Sequence, residues 1–175
     1  EQNRGGVWAA GAWANENFDR SLSWRDIEWL RSRWKGKLVL KGILDPADAR
    51  IAADIGADAI VVSNHGGRQL DGAVSTIEAL PKIASVAAGR TEILFDGGIR
   101  SGQDVLKALA LGANGCMIGR AYLYGLGAMG EAGVRKALDI IANELKVSMS
   151  LTGVRNIKDV TPEILYERPR DRGIG

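Results

Sequence analysis

The chain has a single histidine, His65, set in the string Ser63-Asn64-His65-Gly66-Gly67-Arg68. Imidazole is the side chain best suited to taking a proton near neutral pH. Arg68, three residues on, carries a planar guanidinium that can clamp a substrate carboxylate through two hydrogen bonds. Lys41 follows the apolar run Leu38-Val39-Leu40. An ammonium there could stabilise negative charge developing on a bound group, although a lysine at a strand end can also simply reach for water. Asp96 follows a second apolar run, Ile93-Leu94-Phe95. It could hold a ligand hydroxyl or cap the next helix, and the ligand role is preferred.

A second chemistry is anion binding. Gly97-Gly98 stands two residues before Arg100, and Gly119 precedes Arg120. Glycine lets the backbone approach an anion, helix N-termini add partial positive charge, and arginine forks onto phosphate oxygens. Either loop alone could be an ordinary tight turn; two together favour a phosphate site. Cys116, inside Gly115-Cys116-Met117-Ile118, reads as core filler rather than as a nucleophile.

The elements that must position these groups alternate. Ser23 with Asp26 three residues on resembles a capping box, so a helix starts there with Ile27, Leu30 and Trp34 on one face. Strands are expected at Leu38–Leu40, Ala59–Val62, Ile93–Phe95 and Cys116–Ile118. Helices are expected after Asp45-Pro46, over 76–87, over 101–111, and in a last long helix with Val134, Leu138, Ile141 and Leu145 along one face. Continuous apolar strands alternating with helices mean a parallel sheet covered by helices. The halves match at an offset of 56: Leu38 aligns with Leu94, Gly42-Ile43 with Gly98-Ile99, Asp48 with Asp104, and Gly56-Ala57 with Gly112-Ala113. A doubly wound sheet or an eightfold barrel could supply such tandem units. A barrel takes about 250 residues, so four strands would make half of one. In either fold the chemistry-bearing residues fall after the strands, on the face where ligands bind.

Composition sets the bounds. Hydrophobic residues are 46%, charged residues 25% and the formal net charge is +2, which describes a globular chain too weakly basic to imply nucleic acid. One cysteine forms no internal disulfide, so a reducing, cytoplasmic compartment is the default. No apolar stretch reaches the roughly 20 residues that span a bilayer. The first residue is Glu1 rather than Met, so a piece of a longer translation product is expected.

At Leu40-Lys41-Gly42, Ser63 through Asp71, Asp96-Gly97-Gly98-Ile99-Arg100 and Gly119-Arg120 the chain resembles the FMN-dependent 2-hydroxy acid dehydrogenases and oxidases. The resemblance runs over about residues 18–165, and its closest look is to the bacterial L-lactate dehydrogenases. It implies an α/β fold, the C-terminal half of a TIM (β/α)8 barrel, with four parallel strands and their helices. It implies FMN as cofactor and oxidation of an (S)-2-hydroxy acid, L-lactate first, to the 2-oxo acid. Lys41 would lie at the flavin N1/O2 edge, Ser63 would contact the flavin, and Asp96 would hold the ribityl chain. Gly97, Gly98, Arg100, Gly119 and Arg120 would hold the phosphate. His65 would be the active-site base and Arg68 the carboxylate anchor, with Lys41 the third catalytic group.

The family's N-terminal half supplies a tyrosine pair, a second arginine and an aspartate for the histidine, and it is expected as a partner. Electrons would pass to a quinone, a cytochrome or oxygen. The family also implies a homo-oligomer, a tetramer, in the cytoplasm or on the inner face of the cell membrane. Expected boundaries are a mobile loop segment over 1–20, the half-barrel over 21–165 and a tail over 166–175. Mandelate or glycolate as substrate, a flavin-free phosphate-binding barrel enzyme, and a non-catalytic half-barrel stay open as alternatives.

Overall fold

The computed structural model describes residues 21–166, together with 13, 16, 17 and 19. Most of the expected loop segment 1–20 and of the tail 166–175 therefore lies outside the described residues. The chain divides into two units, residues 1–35 and 36–175. In the first, helix α1 spans Trp24–Arg33. The Asp26 carboxylate accepts from both the Ser23 N–H and the Ser23 hydroxyl, at 2.7 Å each, and these bonds hold its carboxyl below the usual carboxylate range.

The second unit holds strands β1 (Val39–Ile43), β2 (Ala59–Val62), β3 (Glu92–Phe95) and β4 (Gly115–Cys116). Its helices are α2 (Pro46–Ile55), α3 (Thr76–Ala87), α4 (Gly102–Ala110) and α5 (Arg120–Leu151). All strand pairs are parallel, in the order β1-β2-β3-β4. Doubly wound sheets reverse strand order at a switch point; none is present among the described residues, and the fold is that of a partial (β/α)8 barrel. Every residue of β2 is buried, as its β-branched, apolar run requires of a strand covered on both faces.

Local chemistry sets the boundaries. Asp45 accepts from the Ala47 N–H, Pro46 opens α2, and Gly56 closes it in the left-handed region at φ 83°. Ser101 and Asp104 form a reciprocal capping box on α4. Where α4 meets α5 the backbones nearly touch, since a Cβ on Gly102 would lie 1.9 Å from the Leu145 nitrogen.

Three expectations shift. β1 runs on to Ile43, so Lys41 pairs in the ladder and Gly42 is the residue skipped at an irregularity between Lys41 and Ile43. β4 ends at Cys116, although the Met117 N–H still donates to the Phe95 carbonyl at 2.8 Å. The last helix is broken at Met129 and Gly130, which leave helical geometry. Gly125 and Gly133 let the two arms of the break approach, a Cβ on Gly133 falling 1.8 Å from the Gly125 carbonyl oxygen. Of the expected stripe, Val134, Ile141 and Leu145 are half-buried and Leu138 is exposed, because α5 meets α4 around Ile141–Leu145. No helix among the described residues is long and apolar enough to cross a membrane.

Candidate active site

The strand ends bring the expected residues together. A cleft of about 700 Å³ is lined by Lys41, His65, Arg68, Asp96, Gly97, Gly98, Arg100, Gly119 and Arg120. Nine of the ten expected residues thus share one surface. The tenth, Ser63, is buried directly behind it. Its hydroxyl oxygen accepts from Lys41 Nζ at 2.8 Å and from the His65 N–H at 3.1 Å. Lys41 Nζ also pairs with Asp96 Oδ2 at 3.0 Å. Asp96 therefore partners a cation and leaves the capping of α4 to Ser101 and Asp104.

The His65 loop is tightly held. Asn64 Oδ1 accepts from the Gly66 N–H at 3.0 Å, and the Asn64 carbonyl accepts from the Gly67 N–H at 3.0 Å. These bonds wind His65, Gly66 and Gly67 through three consecutive positive φ angles of 55°, 69° and 72°. His65 is the one non-glycine with positive φ among the described residues. Such a conformation persists only where the surroundings over-determine it, and it clusters at functional sites.

The anion cradle has a defined polarity. The α4 N-terminus is capped by side chains: Asp104 accepts from the Arg100 and Ser101 N–H groups, Ser101 Oγ accepts from the Asp104 N–H, and Glu144 accepts from the Gly102 N–H at 2.9 Å. The α5 N-terminus has no side-chain cap, and its cap residue Gly119 has nothing within 4 Å of its missing Cβ. Arg100 can thus serve an anion through its guanidinium, whereas Gly119 and Arg120 bring main-chain donors and the helix dipole as well. Four cations, Lys41, Arg68, Arg100 and Arg120, and one carboxylate, Asp96, line the cleft.

Some lining residues escaped the sequence reading. Gln69, Ile99, Met117, Ile118 and Tyr122 form part of the wall; Gln69 and Ile99 stood inside the glycine-bearing motifs, and an apolar run past a short strand was the signal for Met117 and Ile118. Thr76, buried at the start of α3, bonds the Gly97 carbonyl at 3.4 Å, and a Cβ on Gly97 would fall 2.4 Å from its hydroxyl oxygen. Gly97 is thus glycine for space as well as for its φ of 107°. Burial pushes the thiol of the half-buried Cys116 from 9.0 up to about 11.

A parallel half-barrel whose strand ends carry a basic, glycine-lined anion cradle beside a held imidazole belongs to the ligand-binding barrels. Residues 2–167 match the model of the FMN-dependent dehydrogenases, and the chain belongs to that family. It is 58% identical over 156 residues to an L-lactate dehydrogenase of Caulobacter vibrioides (strain NA1000 / CB15N), covering 89% of this chain and 41% of that protein. An L-lactate dehydrogenase of Stenotrophomonas maltophilia (strain R551-3) is 57% identical over 157 residues, with 90% and 41% covered. Among solved structures, mandelate oxidase with (S)-4-hydroxymandelic acid is similar at a TM-score of 0.77 and 49% identity, covering 79% of this chain and 39% of that one. Mandelate oxidase with benzoyl-formic acid gives the same TM-score and identity, with 79% and 42% covered. The chain spans about two-fifths of the length of the curated relatives it matches.

Proposed function

We propose that this chain is the C-terminal half of an FMN-dependent enzyme that oxidises an (S)-2-hydroxy acid, most simply L-lactate, to the 2-oxo acid. The observation that carries the reading is the gathering of a held imidazole, a guanidinium and an anion cradle on one cleft. The residues fit the cofactor. Gly98 and Gly119 leave open space where a Cβ would stand, and the uncapped α5 N-terminus with Arg100 and Arg120 suits a phosphate. Lys41 gives one N–H to Ser63 and one to Asp96, so a third can face the ring end of a flavin. FMN, when bound, supplies the sink for the two electrons that leave the substrate.

The chain's own groups do the rest. Arg68 anchors the substrate carboxylate. His65 takes one proton: either the hydroxyl proton, with the α-hydrogen leaving as hydride together with the two electrons, or the α-carbon proton, with the hydroxyl proton following as the two electrons leave and the carbonyl forms. Ser63 fixes the His65 backbone and the Lys41 ammonium through one buried oxygen, so base and cation keep their spacing. Asp96 holds the ribityl chain while pairing with Lys41. The half-barrel over 21–165 works with an N-terminal half that supplies the opposite wall. Electrons then pass to a quinone, a cytochrome or oxygen, in a homotetrameric enzyme of the cytoplasm or the inner membrane face. The L-lactate dehydrogenase relatives support lactate over mandelate.

The test is a reductive titration of the bound flavin, in the full-length protein, with L-lactate, (S)-mandelate and glycolate. Bleaching by L-lactate at the lowest concentration is expected. A colourless protein, or a flavin that no 2-hydroxy acid reduces, overturns the reading.

A further inference from the structure

Gly42 is not explained by the turn it makes. It sits at the irregularity of β1, where Lys41 pairs with Val61 but Ile43 pairs with Val62, and its φ is 99°. Its counterpart in the second repeat, Gly98, has φ 90°. Both glycines therefore meet the same backbone demand. Their surroundings differ. A Cβ on Gly98 would find nothing within 4 Å, whereas a Cβ on Gly42 would lie 3.0 Å from His65 Nε2 and 3.7 Å from Cε1. The space that Gly42 leaves empty is bordered by the His65 ring.

The ring reaches that place by a chain of constraints. The His65 N–H is tied to Ser63, and Asn64 holds Gly66 and Gly67. The backbone of His65 is thereby fixed at its positive φ, and only rotation of the side chain remains. One face of that freedom is bounded by Gly42.

We infer that Gly42 is a positioning residue for His65: its bare Cα is the seat against which the imidazole edge bearing Nε2 rests. This rests on the reading of His65 as the proton acceptor. A methyl group at position 42 has to move the ring by a few tenths of an ångström from its 3.0 Å approach to an ordinary contact. Misplacement by about 1 Å costs on the order of 10²-fold in rate, so a shift of this size costs roughly 5- to 10-fold.

Gly56 supplies the control for strain. It has φ 83°, closes α2, and has nothing within 4 Å of its missing Cβ. In the full-length holoenzyme, Gly42→Ala and Gly56→Ala should both lower the melting temperature, Gly42→Ala by more. The excess should vanish in a His65→Ala background, because the ring that the methyl meets is gone. Gly42→Ala should lower kcat roughly 5- to 10-fold relative to Gly56→Ala, with KM and bound FMN unchanged, and should shift the acidic limb of the kcat pH profile. Should Gly42→Ala not fold, restored folding of Gly42→Ala/His65→Ala supports the inference and continued failure overturns it. Equal melting losses for the two alanine variants in both backgrounds, or turnover of Gly42→Ala within twofold of Gly56→Ala, also overturn it. Near-normal turnover of His65→Gln instead defeats the functional reading and leaves the melting coupling between positions 42 and 65 to be judged separately.

Discussion

Gly102→Ala offers the sharpest check on how the anion cradle is built. Gly102 opens α4, two residues after Arg100, and α5 begins at Arg120. Gly102 packs against the second arm of α5, past the break at Met129–Gly130, so this crossing backs the Arg100 loop. A Cβ on Gly102 would stand 1.9 Å from the Leu145 nitrogen, 2.4 Å from the Glu144 carbonyl carbon and 2.6 Å from the Ile141 oxygen. These are backbone atoms of α5, and no rotamer change relieves them. Restoring an ordinary contact of 3.4 Å moves α5 back by about 1.5 Å. Such a movement also breaks the bond from the Gly102 N–H to Glu144 Oε2.

Overpacking costs about 1–3 kcal/mol, and a lost hydrogen bond to a charged group costs about 1.5–3 kcal/mol. Together they predict a loss of roughly 3–5 kcal/mol. At about 2–4 °C per kcal/mol for a domain of 150–250 residues, the melting temperature falls by roughly 10 °C. FMN affinity, read by quenching of flavin fluorescence on titration into the apoprotein, should fall with it. Gly127→Ala is the companion: Gly127 is helical, with nothing within 4 Å of its missing Cβ, and alanine there should be neutral or stabilise by up to about 1 kcal/mol. If Gly102→Ala melts within 2 °C (roughly 1 kcal/mol) of Gly127→Ala, the close crossing is not what supports the start of α4.

Three further outcomes follow from the site. His65→Gln should keep FMN bound and lower kcat by about 10² to 10⁴-fold, the usual worth of general-base catalysis; stopped-flow flavin reduction reads the step directly. Arg68→Lys should raise KM for the 2-hydroxy acid and lower kcat, since an ammonium does not reproduce the two-point clamp; steady-state kinetics with L-lactate and a dye acceptor checks it. Cys116 keeps its proton in the folded chain up to about 11, whereas the unfolded chain releases it near 9.0. The unfolded state then binds fewer protons across that window, so the contribution of Cys116 is fully present below pH 9 and is lost as pH rises toward 11. Urea melts at pH 8 and pH 10.5 should show a larger drop for the parent chain than for Cys116→Ala.

The fold was legible where apolar runs were long and capped by specific chemistry. Asp45-Pro46, Ser23 with Asp26, and the buried run Ala59–Val62 each appear as expected. Legibility failed where the backbone breaks a rule for a local reason. Lys41 and Gly42 look like the end of a strand because they are polar and flexible, yet β1 continues through them. The break at Met129–Gly130 hid inside a stretch with apolar residues at helical spacing, and only the crowd of glycines at 125, 127, 130 and 133 hinted at it. Charged residues after strands pointed to the cleft. The groups that hold them across elements, Thr76 and Glu144, were not legible, because a hydrogen bond between elements leaves no trace in local spacing.

Sheet register explains why Lys41, Ser63 and Asp96 meet at all. Val61 pairs with Lys41 on one side and with Leu94 on the other, so these three side chains share a face of the sheet. Ser63 and Asp96 each stand two residues beyond Val61 and Leu94 and return to that same face. A parallel ladder in register thus delivers the cation, the hydroxyl and the carboxylate to one point without help from the loops. A slip of one residue in β1 would send Lys41 to the opposite face and separate it from both partners. The slip that does occur falls after Lys41, at Gly42, where the register has already done its work. The extra residue, Gly42, stands beside the His65 ring, and bulges are common beside active sites. The lysine is therefore placed by the regular part of the strand and the imidazole by its single irregularity.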